Sequence, residues 1–188
     1  MLKQQKIFFE FLRFCIGSAK EIPGSLKEAD WKELYAIAQK QCLVGVLFDG
    51  IKKLPAEHVG MEKELLLQWM AESQMLEKAN VRLNDAAIQV SEWFQKKGFR
   101  TCILKGQGNA LMYPNPYSRT PGDIDIWVGG VEINGSSPLS ALSLLMKRHA
   151  ITTSSSLRIR EWRWKCIIGL ASYCASGITE SFRNIMRG

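Results

Sequence analysis

A chain of 188 residues is long enough for one domain with a real core, or one domain plus a small appendage. Its apolar fraction of 46% is ordinary for a globular protein, and no run approaches the ~20 apolar residues that span a bilayer. The formal charge of +7 is unevenly placed: residues 1–130 carry 17 Lys and Arg against 15 Asp and Glu, whereas residues 131–188 carry 8 against 3. A nearly balanced body excludes a DNA-binding face read from the total, so neither a nucleic-acid nor a membrane partner is indicated.

Five cysteines, Cys15, Cys42, Cys102, Cys166 and Cys174, are scattered without a CxxC pair. That pattern fits free thiols in a reducing cytosol and no disulfide framework or zinc site. His58 and His149 stand alone, which excludes a His-based metal centre. The N-terminal stretch MLKQQKIFFEFLRFC is interrupted by Glu10 and Arg13, and no small-residue cleavage site follows it. The expectation is a cytoplasmic chain without a signal peptide.

In chain order, residues 1–97 read as helices. FFEFLRFC has apolar residues at near-helical spacing, and Pro23-Gly24 ends that segment. From Trp31 to Ile51 runs a broad apolar stripe that includes Leu34, Tyr35, Ala38, Val46 and Leu47, weakened and split by Gly45 and Gly50. Pro55 and Gly60 mark a turn. The proline-free stretch from Met61 to Lys97, rich in Leu, Met, Glu, Gln and Lys, is a long helix ending at Gly98. There the pattern changes. FRTCILKG is short, β-branched and aromatic, and reads as a strand ending at Gly106. GQGNALMYPNPYSRTPG begins as a helical turn and becomes a loop with three prolines. DIDIWV alternates with period two, so it is a second strand. The whole is an α+β chain: a helical region, then a mixed sheet with flanking helices over 98–130, the sheet incomplete after residue 130.

Asp123 and Asp125 raise the chemical question. In a strand, residues i and i+2 share a face, so the two carboxylates project together while Ile124 and Ile126 face the core. Adjacent carboxylates repel unless a cation sits between them or one keeps its proton. Oxygen-only ligands suit Mg²⁺ or Mn²⁺, which leave other positions to water and substrate phosphates. Upstream, Gly106 and Gly108 would let backbone N–H groups approach a phosphate, Lys105 supplies a charge there, and Arg119 lies four residues before Asp123. A DxD pair alone also fits a strand end facing water. A sugar-nucleotide glycosyltransferase uses the same pair.

The stretch LKGQGNALMYPNPYSRTPGDIDIWV resembles the core of the uncharacterised nucleotidyltransferase family found widely in bacteria, within the DNA polymerase β-like superfamily. WKELYAIAQKQCLVGVLFDGI resembles that family's N-terminal region, so the likeness covers roughly residues 5–130. It implies a Mg²⁺- or Mn²⁺-dependent transfer of a nucleoside monophosphate from an NTP to an unknown acceptor. Asp123 and Asp125 would bind the metal, with Lys105, Gly106, Gly108 and Arg119 on the nucleotide phosphates. Lys105-Gly106 stands where the superfamily usually has Gly-Ser or Gly-Gly, and the spacing to Asp123 is longer than usual. The alternatives are a nucleotide-binding pseudoenzyme, a glycosyltransferase, or a helical interaction protein.

Residues 131–188 depart from the rest. They hold ten serines against five in the first 130, and no Asp at all. Their acids are Glu132, Glu161 and Glu180, none in a strand like the superfamily's third-carboxylate strand. Trp has a single codon ending in G, and both Lys codons begin AA. Reading each codon's last base with the next two, the Trp164–Lys165 junction must spell glutamate, and the neighbouring junctions permit an acid-then-His strand. A reading-frame slip near residues 128–131 would produce such a tail; a genuine, divergent C-terminal region is the alternative. The chain would then lack its third carboxylate, be weak or inactive in catalysis, and leave DIDIWV with an uncovered, aggregation-prone edge.

Overall fold

The computed structural model describes residues 3–130, 157–159 and 162–168. The chain divides into two compact units: residues 1–81 with 110–121, and residues 82–109 with 122–188. Among the described residues no helix is long and apolar enough to cross a membrane.

The first unit is helical. Helix α1 (Lys3–Cys15) buries Ile7, Phe8, Phe11 and Cys15, a stripe on one helical face. Asp30 caps α2 (Trp31–Lys40), accepting from the Lys32 and Glu33 backbone N–H groups at 3.0 and 3.2 Å. Helix α3 (Val44–Ile51) follows at once. The expected split of this stretch is present, but it falls at Gln41–Leu43 and not at the glycines. Cys42 turns the chain there with φ +57°. Gly45 and Gly50 lie inside α3 for packing reasons. A Cβ at Gly45 would run into the Ser118 carbonyl, and one at Gly50 into the Cys15 side chain.

The core of this unit joins α1, α2, α3 and the start of α4 (Lys63–Gln95). Phe11 meets Trp31 edge-on at 5.9 Å, and Tyr35 meets Trp69 at 4.9 Å. Trp69 is fully buried, and its indole N–H donates to the Val44 carbonyl at 2.9 Å. That bond removes the cost of burying a lone donor.

The second unit contains the sheet. Strand β1 (Phe99–Leu104) pairs antiparallel with β2 (Ile124–Gly130). Strand β4 (Trp162–Ile168) lies parallel on the other side of β2, and β3 (Leu157–Ile159) pairs antiparallel with β4, giving the order β1-β2-β4-β3. Between β1 and β2 the chain forms a short helical segment, α5 (Lys105–Ala110), broken at Gly106. Ile124, Ile126 and Val128 are buried on one face of β2, alongside Thr101 and Ile103 of β1. Phe99 at the start of β1 meets Phe94 of α4 edge-on at 6.3 Å.

The fold class is the expected α+β arrangement, with helices first and a small mixed sheet after. One expectation needs correction. β2 is paired on both sides, so the edge of DIDIWV is covered by β4. The reason is local: WRWKCII is an aromatic and β-branched run, whose backbone can join a ladder whatever its origin. β1 also ends at Leu104, two residues before Gly106. Most of the atypical tail, including Glu132, Glu161, Glu180 and His149, lies outside the described residues. Cys15, Cys42 and Cys102 are free thiols, as expected.

Candidate functional site

The β1–β2 register builds the site. Leu104 is the Cα partner of Asp125, so the chain leaving β1 emerges beside that carboxylate. The first residue to emerge is Lys105, and its Nζ lies 3.9 Å from Asp125 Oδ2. The Asp125 side chain is 14% exposed and that of Lys105 71% exposed. A pair with one such wet partner contributes about 0–1 kcal/mol to stability. Its consequence is electrostatic: a protein-borne cation already faces the carboxylate that the sequence left in an apolar strand.

Lys105 has φ +46°, in the left-handed region that a side chain rarely adopts. Such a residue costs on the order of 1–3 kcal/mol and persists where the surroundings hold it. Gly106 follows with a non-helical backbone. At Gly108 a Cβ would sit 2.7 Å from the Ile103 carbonyl oxygen, so the turn folds back onto β1 only with glycine there. Gln107, between the two glycines, is buried and donates to Asn84 Oδ1 of α4 at 2.5 Å. The glycine loop is therefore anchored to a helix.

Asp123 sits half-buried immediately before β2, and Asp125 is its second residue. The alternation with buried Ile124 and Ile126 is as expected. Two carboxylates suit a hard divalent cation that keeps water and phosphate oxygens for its remaining positions. Among the described residues, no group of three or more His, Cys, Asp and Glu side chains gathers to hold a metal.

Arg119 belongs to the first unit, at the end of the proline loop. Asn80 of α4 donates to the carbonyls of Tyr117 and Arg119 at 2.8 and 2.6 Å. Asp49 of α3 accepts from the Ser118 hydroxyl and from Asn115 Nδ2, the latter at 3.0 Å. Thr120 Oγ1 donates to the Cys42 carbonyl at 2.9 Å. Each bond ties a loop residue to a helix or to the turn between α2 and α3.

Lys105 and Asp125 are thus brought together, with Gly106 and Gly108 in the loop that follows β1. Reading the sequence missed Asp49, Asn80 and Asn84, which hold the loops. A signal was present. Ser73, Asn80, Asn84 and Ser91 are buried and recur at helical spacing, and Asn and Ser are poor interior helix formers. Polar residues on the apolar face of a long helix have something to hold.

No curated protein and no solved structure matches the chain. The family described as uncharacterised nucleotidyltransferase matches residues 27–132, more than half of the chain. The matched span begins just before α2 and takes in the loops that Asp49, Asn80 and Asn84 hold, the Lys105–Asp125 pair and all of β2. With a match of that extent over the residues that build the site, the chain belongs to the uncharacterised nucleotidyltransferase family.

Proposed function

We propose that the Asp123–Asp125 pair and the Lys105–Gly108 loop form a Mg²⁺- or Mn²⁺-dependent nucleotidyl-transfer site. In the reaction an acceptor hydroxyl gives up its proton to solvent and attacks the α-phosphorus of an NTP; a new O–P bond forms as the bond from that phosphorus to the α–β bridging oxygen breaks, and pyrophosphate leaves with its electrons. Asp123 and Asp125 would hold the divalent ion, which when bound supplies positive charge against the phosphate oxygens. Lys105 reaches the same carboxylate and can move onto a phosphate oxygen. The backbone N–H groups around Gly106 and Gly108 can approach phosphate closely because no side chain intervenes. The observation that carries this reading is the 3.9 Å approach of Lys105 to Asp125, a cation and a metal-type ligand at the end of one glycine loop.

The test is calorimetric titration with ATP, GTP, CTP and UTP, with Mg²⁺ and with chelator. Metal-dependent binding that Asp125→Asn weakens about tenfold or more supports the reading. Binding that is equal in chelator, or competed by UDP-sugars alone, overturns it.

A second reading, nucleotide binding without turnover, is favoured by one register. Lys165 of β4 is the Cα partner of Asp125, so the strand position next to that ligand carries no acid in this chain. The shifted frame forces glutamate at the Trp164–Lys165 junction, beside that position, and the family match ends at residue 132. Both support a reading-frame slip near residues 128–131. Translating the coding DNA across residues 120–188 in all three frames tests it. An open shifted frame with an acid-then-His strand supports the slip; a closed one ends it.

A further inference from the structure

A cavity of about 290 Å³ lies within the first unit, walled by Cys15 of α1, by α3 with the turn after it, and by the Tyr113–Ser118 loop. It sits at the small end of the ~300–1,000 Å³ typical of small-molecule sites. Val46, Tyr113 and Pro114 supply apolar wall, and Asp49, Lys52 and Lys53 supply the charges.

Those charges do not cancel. Asp49 is fully used: Lys52 lies 2.6 Å from its Oδ1, and Asn115 and Ser118 donate to its Oδ2. Lys52 is used as well, since it also lies 3.7 Å from Glu77. Lys53 differs. Its Nζ donates to the Cys15 carbonyl at 3.3 Å, and among the described residues no carboxylate lies within ion-pair distance of it. The Cys15 thiol adds no anion: burial holds its pKa up at about 12, so it stays neutral. Among the described residues, one cation without a counter-charge therefore borders a mostly apolar cavity. That is the usual make-up of a ligand site, apolar walls with a few polar groups that fix orientation.

We propose that this cavity binds a small organic monocarboxylate, its charge on Lys53 and its apolar body against Val46, Tyr113 and Pro114. The balance of the lining, two lysines against one aspartate, matches a single negative charge better than a phosphate dianion. The proposal stands apart from nucleotidyl transfer and would survive its failure.

The test uses the full chain and follows the Val46 methyl resonances at constant ionic strength. Benzoate is the probe, with benzyl alcohol as its uncharged analogue and inorganic phosphate as the competing anion. Saturable shifts with benzoate, about tenfold weaker binding of benzyl alcohol, and no saturation with phosphate are expected. Lys53→Met is expected to weaken benzoate about tenfold while Lys53→Arg retains it. Lys53 is exposed, so neither substitution threatens the fold. No Val46 response to benzoate overturns the proposal. So does equal binding of benzyl alcohol or of phosphate, or undiminished affinity in Lys53→Met.

Discussion

Gln107 and Asn84 meet as two buried side chains, Nε2 donating to Oδ1 at 2.5 Å, and the bond fastens the glycine loop beside Lys105 to α4. A buried amide that loses its partner bears most of its desolvation cost, about 1–3 kcal/mol. Asn84→Ala is therefore expected to lower unfolding free energy by about 2 kcal/mol, read by urea denaturation with an unchanged m-value. The paired change Asn84→Leu with Gln107→Leu should recover part of that loss, because both polar groups leave together. A loss under about 0.5 kcal/mol in Asn84→Ala would mean the bond holds nothing.

One turn earlier on α4, fully buried Asn80 donates to the Tyr117 and Arg119 carbonyls and also to the Leu76 carbonyl. Asn80→Ala removes the donors from two loop carbonyls at once. About 2 kcal/mol of stability should be lost, and amide hydrogen exchange should speed up across 113–120 before it does in α2. Uniform exchange changes across the chain would contradict a local tether.

Gly45 and Gly24 make a matched pair of tests. A Cβ at Gly45 would strike the Ser118 backbone, which cannot swing aside, whereas at Gly24 nothing lies within 4 Å. Gly45→Ala should cost about 1–3 kcal/mol, as overpacking does, and Gly24→Ala close to none. Thermal melts of the two variants side by side decide it. Equal midpoints would show that α3 can shift away from the loop.

These contacts explain what was legible in the sequence. Helix and strand periods were plain, because Ile7, Phe8 and Phe11 repeat on one helical face and Ile124, Ile126 and Val128 on one strand face. The DxD strand stood out because charge inside an apolar alternation is rare. What was hidden depends on long-range pairing. Asp49 looks like any helix acid until Asn115 and Ser118, more than sixty residues on, donate to it. The break at Cys42 was equally invisible, since a positive φ in a non-glycine residue is imposed by packing on either side. The covered edge of β2 was hidden because the serine-rich, Arg-rich composition of residues 131–188 masks the strand pattern of Trp162–Ile168.

Lys105 separates stability from binding. Its side chain is largely in water, so the pair with Asp125 adds little to folding. Lys105→Met should leave the unfolding free energy within about 0.5 kcal/mol of the parent. If the nucleotide reading holds, it should weaken metal-dependent NTP binding about tenfold, by loss of one charge-assisted contact. A large stability loss with unchanged binding would make Lys105 a structural residue and move the phosphate site elsewhere.

Alkaline pH probes the buried core. Burial pushes the Cys15 thiol up from its ordinary 9.0 to about 12. Desolvation, then the hydrogen bond to Glu72, pushes Tyr35 from 10.0 to about 12. In both, the folded chain keeps a proton that the unfolded chain gives up at lower pH. The unfolded state binds fewer protons above pH ~9, so stability falls as pH rises toward 12. Lys52, raised first by its hydrogen bond to Asp49, works in the same direction: its contribution is whole below its ordinary 10.5 and is lost as pH rises through the folded value. Urea midpoints at intervals from pH 7 to 11 should be flat to about pH 8.5 and then decline. The Cys15 part of the slope approaches about 1.4 kcal/mol per pH unit and should vanish in Cys15→Ala. Alkylation at pH 8 offers a second readout, with exposed Cys42 modified first and Cys15 left intact. Early alkylation of Cys15, or stability rising through pH 9–10, would contradict a buried, protonated thiol in the wall of the cavity.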